Sequence, residues 1–122
     1  MARILISEPH DEVRRLLERM VTRLGHEPTA VRMPTPEQLM SADALVVEPA
    51  APIGAVLAQA ASIANPALPL ICASVAAAPP ELAELGVVFA VSLVKPFTVQ
   101  ELGAAIELSL HTRAGSRRSR EA

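Results

Sequence analysis

Three short apolar segments each run straight into a charged residue and then a proline. Ile4-Leu5-Ile6-Ser7 leads into Glu8-Pro9, Ala44-Leu45-Val46-Val47 into Glu48-Pro49, and Val91-Ser92-Leu93-Val94 into Lys95-Pro96. Runs of this length, rich in β-branched residues, read as strands buried on both faces, each opening at its end into a polar crevice. In an open parallel sheet the carboxyl ends of the strands gather on one edge, where ligands bind. Glu8, Glu48 and Lys95 are therefore expected to converge, two carboxylates against an ammonium.

The segments between these strands must supply the helices that cover the sheet. After a first strand, Arg3 to Ser7, the residues Val13, Leu16, Leu17, Met20, Val21 and Leu24 repeat at three and four, one apolar stripe of an α-helix. Asp11 is placed to cap that helix, and Gly25 to end it in the left-handed conformation. A short second strand is expected over Pro28 to Met33. A helix of at most about two turns follows, with Thr35 as cap and Pro36 at its first position. The third strand, Asp43 to Val47, is followed by a small-residue helix from Ile53 to Ala64. A fourth strand from Leu68 to Ala73 finishes at Ser74, and Glu81 to Leu85 then form a poor helix confined by Pro79-Pro80. Val87 to Val94 is the last strand region. Thr98 and Glu101 form a capping box, Phe97 and Leu102 a hydrophobic staple, and the final helix runs on through Leu110. The fold class is thus α/β, five strands alternating with five helices in a doubly wound parallel sheet, with the first and third strands adjacent at its centre. Residues 1–111 form the domain; Thr112 to Ala122, rich in Arg and Ser without apolar period, reads as a flexible tail or the start of a linker.

Composition removes several classes of function. At 122 residues the chain holds one domain, and 51% hydrophobic content argues against disorder. No apolar run is long enough to cross a bilayer, and acids interrupt the N-terminus before a signal peptide could form, so a cytoplasmic protein without membrane contact is expected. The formal charge is -2, but four arginines lie in the last ten residues, which leaves the body with 7 basic and 12 acidic side chains. That acidic body, with Phe89 and Phe97 as its only aromatic residues, is a poor nucleic-acid surface. Cys72 is alone in an apolar run and reads as a core thiol. No nucleophile accompanies His10, which gives an enzyme little support. The loop after the first strand lacks the glycines of a phosphate cradle, which disfavours a flavodoxin-like cofactor binder.

Over residues 3 to about 111 the chain resembles the receiver domain of two-component response regulators. The most specific piece is Val94-Lys95-Pro96-Phe97, and Lys95 is the only lysine in the chain. The resemblance implies a flavodoxin-like topology with strand order 2-1-3-4-5 and a cis Lys95-Pro96 bond. It places the metal-binding acid pair on Glu8 and Pro9, the phosphoacceptor position on Glu48, the hydroxyl on Ser74, the lysine on Lys95 followed by Pro96, and the switch aromatic on Ser92. Three of these positions depart from the family pattern. Pro9 has no ligating side chain, Ser92 is not aromatic, and Glu48 stands where the family has aspartate, its extra methylene moving the carboxylate about 1.5 Å toward Lys95. A glutamate there can imitate phosphoaspartate by pairing with Lys95 or accepting from Ser74. Magnesium, through Glu8 and Glu48, is expected to bind weakly or not at all, and no other cofactor is implied. The expected function is a phosphorylation-independent protein-interaction module acting on a protein partner or an output domain. A homodimer through the fourth helix, fifth strand and fifth helix is a further partner of that kind. The alternative is a phosphoaccepting receiver of a phosphorelay.

Overall fold

Because every residue of the third strand is buried, helices must cover both faces of the sheet, and they do so in a βα alternation. The structure, a computed structural model, describes the backbone of residues 1–121 and the side chains of residues 1–111. In chain order the elements are β1 (Arg3–Ser7), α1 (Asp11–Arg23), β2 (Glu27–Ala30), α2 (Pro36–Ser41), β3 (Ala44–Val47), α3 (Pro52–Ala64), β4 (Leu70–Ser74), α4 (Pro80–Glu84), β5 (Val91–Val94) and α5 (Val99–Glu121). All pairings are parallel and the strand order is β2-β1-β3-β4-β5, as expected. The tail expected over residues 112–122 falls on positions whose side chains lie outside the described residues.

Alternation along the strands splits the core into two layers. Ile4, Ile6, Val46, Ile71 and Leu93 face α1 and α5, meeting Leu17, Val21, Leu102 and Ile106. Leu5, Leu45, Val47 and Leu70 face the other way, onto Leu39 of α2, Leu57, Ala58 and Ala61 of α3, and Leu82 of α4. Gly25 takes φ +85 after α1, the left-handed position read from the sequence. The Thr98–Glu101 capping box forms in both directions, at 3.1 and 3.0 Å.

Three local expectations are corrected. The second strand lies at Glu27–Ala30 rather than Pro28 to Met33, because Glu27 N–H bonds the Ala2 carbonyl directly after the Gly25 turn and the ladder with β1 closes at Ile6 opposite Ala30, its last bond running from Val31 N–H to the Ile6 carbonyl. The last strand begins at Val91 rather than Val87. Its pairing with β4 opens with Ala90 N–H on the Leu70 carbonyl, and Val87 and Phe89 pack against the α3 layer instead. The cap of α1 is His10, with no side-chain capping bond; Asp11 is already helical and its carboxylate accepts from Arg14 at 2.7 Å.

Candidate functional site

Register brings the charged strand ends together. Ser7 lies opposite Val47 in the β1–β3 ladder, so Glu8 and Glu48, one residue further on, emerge side by side. Ser74 lies opposite Val94, and Lys95 N–H bonds the Ser74 carbonyl at 2.9 Å, which aims the lysine across the same edge. The Lys95–Pro96 peptide is cis. Glu48 itself is held from behind by α3: Gly54, in its first turn, packs directly on the Glu48 carbonyl.

The Lys95 ammonium sits between the two acids, with Nζ 2.5 Å from Glu8 Oε2 and 2.7 Å from Glu48 Oε2. The other oxygen of each acid is also engaged. Glu8 Oε1 accepts from the His10 backbone N–H at 3.2 Å and lies 2.9 Å from His10 Nδ1, which donates in its Nδ1–H tautomer. Glu48 Oε1 accepts from Ser74 Oγ at 2.6 Å and from Ala50 N–H at 3.3 Å. The side chains of Glu8, Glu48 and Lys95 are only 1%, 8% and 15% exposed, so these contacts operate largely out of water. In such a setting each charge is tolerable because every acceptor has a donor.

Burial alone pushes the Glu8 carboxyl up, but the hydrogen bonds from Lys95 and His10 and the lysine's charge carry it below its ordinary 4.5. Burial likewise works against the Lys95 ammonium, and is outweighed by the bonds to Glu48 and Glu8 and by their charges, so Lys95 stays protonated above its ordinary 10.5. The two shifts give opposite pH limits. A depressed carboxyl stabilises the fold above 4.5 and loses that contribution as pH falls through its lower folded value; a raised ammonium stabilises below 10.5 and loses it as pH rises through its higher one. The melting midpoint is accordingly expected to hold level across neutral pH, fall on strong acidification, and fall again in strong alkali. A Glu8→Gln variant should lose most of the acid limb, and an unchanged acid limb would mean that Glu8 is not the group responsible. At Cys72, burial and then the Glu48 charge push the thiol up, only partly offset by a bond with Ser92 and by Lys95, which suits a core thiol.

Four of the residues singled out from sequence therefore meet: Glu8, Glu48, Ser74 and Lys95. Pro9 is exposed beside them, and Pro96 lines an apolar groove of about 330 Å³ against α1. Ser92 pairs with Cys72 in the ladder, on the exposed side of the edge strand. Sequence reasoning missed the role of His10, which looked like a helix-start residue, and that of Gly54, whose only signal was a glycine in the first turn of an alanine-rich helix.

The donor set does not suit Mg²⁺ in this arrangement. The ion requires about six oxygens in near-octahedral array, whereas the facing oxygens of Glu8 and Glu48 are both on the Lys95 ammonium. Asp11 is turned outward onto Arg14, and among the described residues no cluster of three His, Cys, Asp or Glu side chains is placed to hold a metal. A metal ion would have to displace the lysine.

A doubly wound parallel sheet of order β2-β1-β3-β4-β5 thus gathers two acids, a hydroxyl and a lysine at its carboxyl edge. In fold the chain closely matches CheY-like response-regulator receiver domains. A receiver domain protein from Clostridium thermocellum has 17% identity and a TM-score of 0.80, over 93% of this chain and 98% of that one. NtrX from Brucella abortus, at 17% identity and TM-score 0.79, is matched over 98% of this chain but only 28% of its own length. The receiver domain of the sensor histidine kinase PA1611 from Pseudomonas aeruginosa, solved with a magnesium ion in its active-site cleft, has 21% identity and a TM-score of 0.67 over 90% of this chain and 98% of that one. No protein-family model and no curated protein sequence matches, so the likeness is carried by structure. Among the described residues no helix is long and apolar enough to cross a membrane.

Proposed function

We propose that the chain is an atypical receiver domain, a signalling module rather than an enzyme, that works through protein contacts with its site set by its own side chains instead of by phosphoryl transfer. The observation that carries this reading is the Lys95 ammonium bridging Glu8 and Glu48 while the Ser74 hydroxyl donates to Glu48. In a phosphorylated receiver an added anionic group would draw the lysine and the hydroxyl inward. Here the longer Glu48 side chain supports the same contacts from within. In-line attack on a phosphodonor would also need Glu48 oxygens that are free and aligned, and both already accept hydrogen bonds.

The partner is a protein or an attached output domain, and the acidic body disfavours direct nucleic-acid binding. The short α4 leaves Leu85, Val88 and Val94 at 56%, 77% and 66% exposure, an apolar surface on the α4–β5 side suited to such a contact, a homodimer included. The second reading, a phosphoaccepting receiver, is favoured by the fold likeness to receivers, one of them holding magnesium in its cleft.

Incubation with acetyl phosphate and millimolar Mg²⁺ separates the two. Intact mass is expected to stay unchanged, while Pro9→Asp combined with Glu48→Asp is expected to gain Mg²⁺ binding by supplying a third acid beside Glu8 and shortening the one at position 48. A gain of one phosphoryl mass on the natural sequence, mapped to Glu48 or Asp11, would make the phosphoaccepting reading correct.

A further inference from the structure

The outward side of α3 is apolar where a surface helix is ordinarily charged. Ile53, Val56, Ala60 and Ile63 lie along it at spacings of three, four and three, the a/d spacing of a coiled-coil seam. All four are exposed, Ile53 at 43%, Val56 at 58% and Ile63 at 74%, because the sheet is met by the opposite side of the helix through Leu57, Ala58 and Ala61. Met40, 60% exposed on the neighbouring α2, adds to the apolar surface of this helical layer; the Asn65 amide that ends α3 donates to the Leu39 carbonyl and ties the two helices together. Between Pro49 and Pro80 the sequence runs for 32 residues without one charged side chain. The exposed side of α1, by contrast, carries Glu12, Arg15, Arg19 and Arg23.

We propose that this face binds a second copy of the chain, α3 packing antiparallel on α3 about a two-fold axis at the level of Ala58. Three observations point to a second copy rather than a different partner. The stripe is palindromic in position: about that axis Ile53 falls opposite Ile63 of the second copy, and Val56 opposite Ala60, so the larger side chains pair at the ends and a smaller pair at the middle lets the helices approach. A two-fold interface must be self-complementary in this way. The face is also matched to itself in charge, since an uncharged helix meets no like charge on its copy and offers no counter-charge to a polar or ionic partner. Finally, the exposed parts of the stripe and Met40 amount to several hundred Å² per copy, which on doubling approaches the about 1,000 Å² at which an interface becomes specific. The face is separate from the α4–β5 surface and does not depend on how Glu48 works.

Sedimentation of the full chain over a concentration series tests this with Val56→Glu on α3 and Val94→Glu on β5, both at exposed positions. The natural chain and Val94→Glu are expected to dimerise with increasing concentration, whereas Val56→Glu stays monomeric to at least ten-fold higher concentration, with a melting midpoint equal to that of the natural chain at dilutions where both are monomeric. Mixing Ile53→Cys with Ile63→Cys under oxidised glutathione should give a disulfide-linked heterodimer in higher yield than either variant alone gives a homodimer, an outcome that does not depend on the stability of Val56→Glu. A natural chain monomeric throughout, dimers abolished by Val94→Glu and not by Val56→Glu, or no excess of the mixed disulfide would each overturn the proposal.

Discussion

Lys95→Ala is expected to lower the melting midpoint by about 10 °C at neutral pH and to reverse the direction in which acid acts on it. The substitution leaves Glu8 and Glu48 facing each other across the space the ammonium filled, with side chains 1% and 8% exposed. Removing one partner of a buried ion pair costs about 3–5 kcal/mol, chiefly because the remaining charge is stranded. Lys95 keeps some contact with water, which favours the lower end, and at a few degrees per kcal/mol for a chain of this size the shift is about 10 °C. The pH signature is more diagnostic than the magnitude. In the natural chain the bonds from Lys95 and His10 hold Glu8 below 4.5 against the effect of burial. Without the lysine, burial and the neighbouring acid dominate and the folded carboxyl titrates above its unfolded value. A carboxyl raised in this way binds protons more tightly folded than unfolded, so the variant gains stability as pH falls from 7 toward 5, where the natural chain gains none. Glu8→Gln added to Lys95→Ala should recover part of the loss at pH 7 by removing one stranded charge. A variant that melts with the natural chain and follows the same pH profile would show that the bridge seen here contributes nothing to the fold.

The same electrostatic logic explains which parts of the site could be read from sequence. β1 and β3 announced themselves because strands buried on both faces must be apolar, so a carboxylate at the end of each marks the sheet edge with single-residue accuracy, whereas β5, an edge strand with Ser92 and Val94 exposed, was marked at its end by Lys95-Pro96 alone. The convergence of Glu8, Glu48 and Lys95 then followed from parallel topology alone, and their contacts at 2.5 and 2.7 Å are its consequence. The edge strands were less legible for a physical reason. β2 needs only a four-residue ladder on one side, tolerates Pro28, and has its start set by where the Gly25 turn delivers the chain rather than by its own residues. At β5, Val87 and Phe89 are apolar for packing and not for pairing, a distinction that hydrophobic pattern does not carry. His10 escaped notice because its function depends on the direction of the Glu8 side chain. Its backbone N–H and ring serve the buried acid while the ring remains 75% exposed, so composition and periodicity both place it among surface residues.

Gly54→Ala should be the most damaging conservative substitution in the chain, and helix propensity alone gives the opposite sign. Alanine is favoured over glycine within a helix by about 1 kcal/mol, so a glycine in the first turn of α3 looks like an opportunity for stabilisation. An alanine Cβ at this position, however, would fall inside the van der Waals envelope of the Glu48 carbonyl oxygen and 2.8 Å from the Glu48 carbonyl carbon. These are backbone atoms of the residue that leaves β3 and carries the site's acid, and they cannot turn aside as a flexible side chain can. Relief requires α3 to move off the sheet, lifting Leu57, Ala58 and Ala61 from the layer they form with Leu45 and Val47, all of them fully buried. A gap of 0.5–1 Å already forfeits about a quarter to a half of each contact's attraction, and overpacking of this kind typically costs about 1–3 kcal/mol or more. The loss exceeds the propensity gain, so the melting midpoint is expected to fall by roughly 5–10 °C, with the Glu48–Lys95 contact displaced as the Glu48 backbone shifts. Gly103→Ala provides the comparison, because its added Cβ meets the end of the Leu24 side chain, with Cδ2 at 2.9 Å, and that group can rotate away. This second substitution should leave the midpoint unchanged or raise it. If Gly54→Ala instead melts at or above the natural chain, α3 is free to shift on the sheet, and the position of Glu48 is not set by the close approach of that helix.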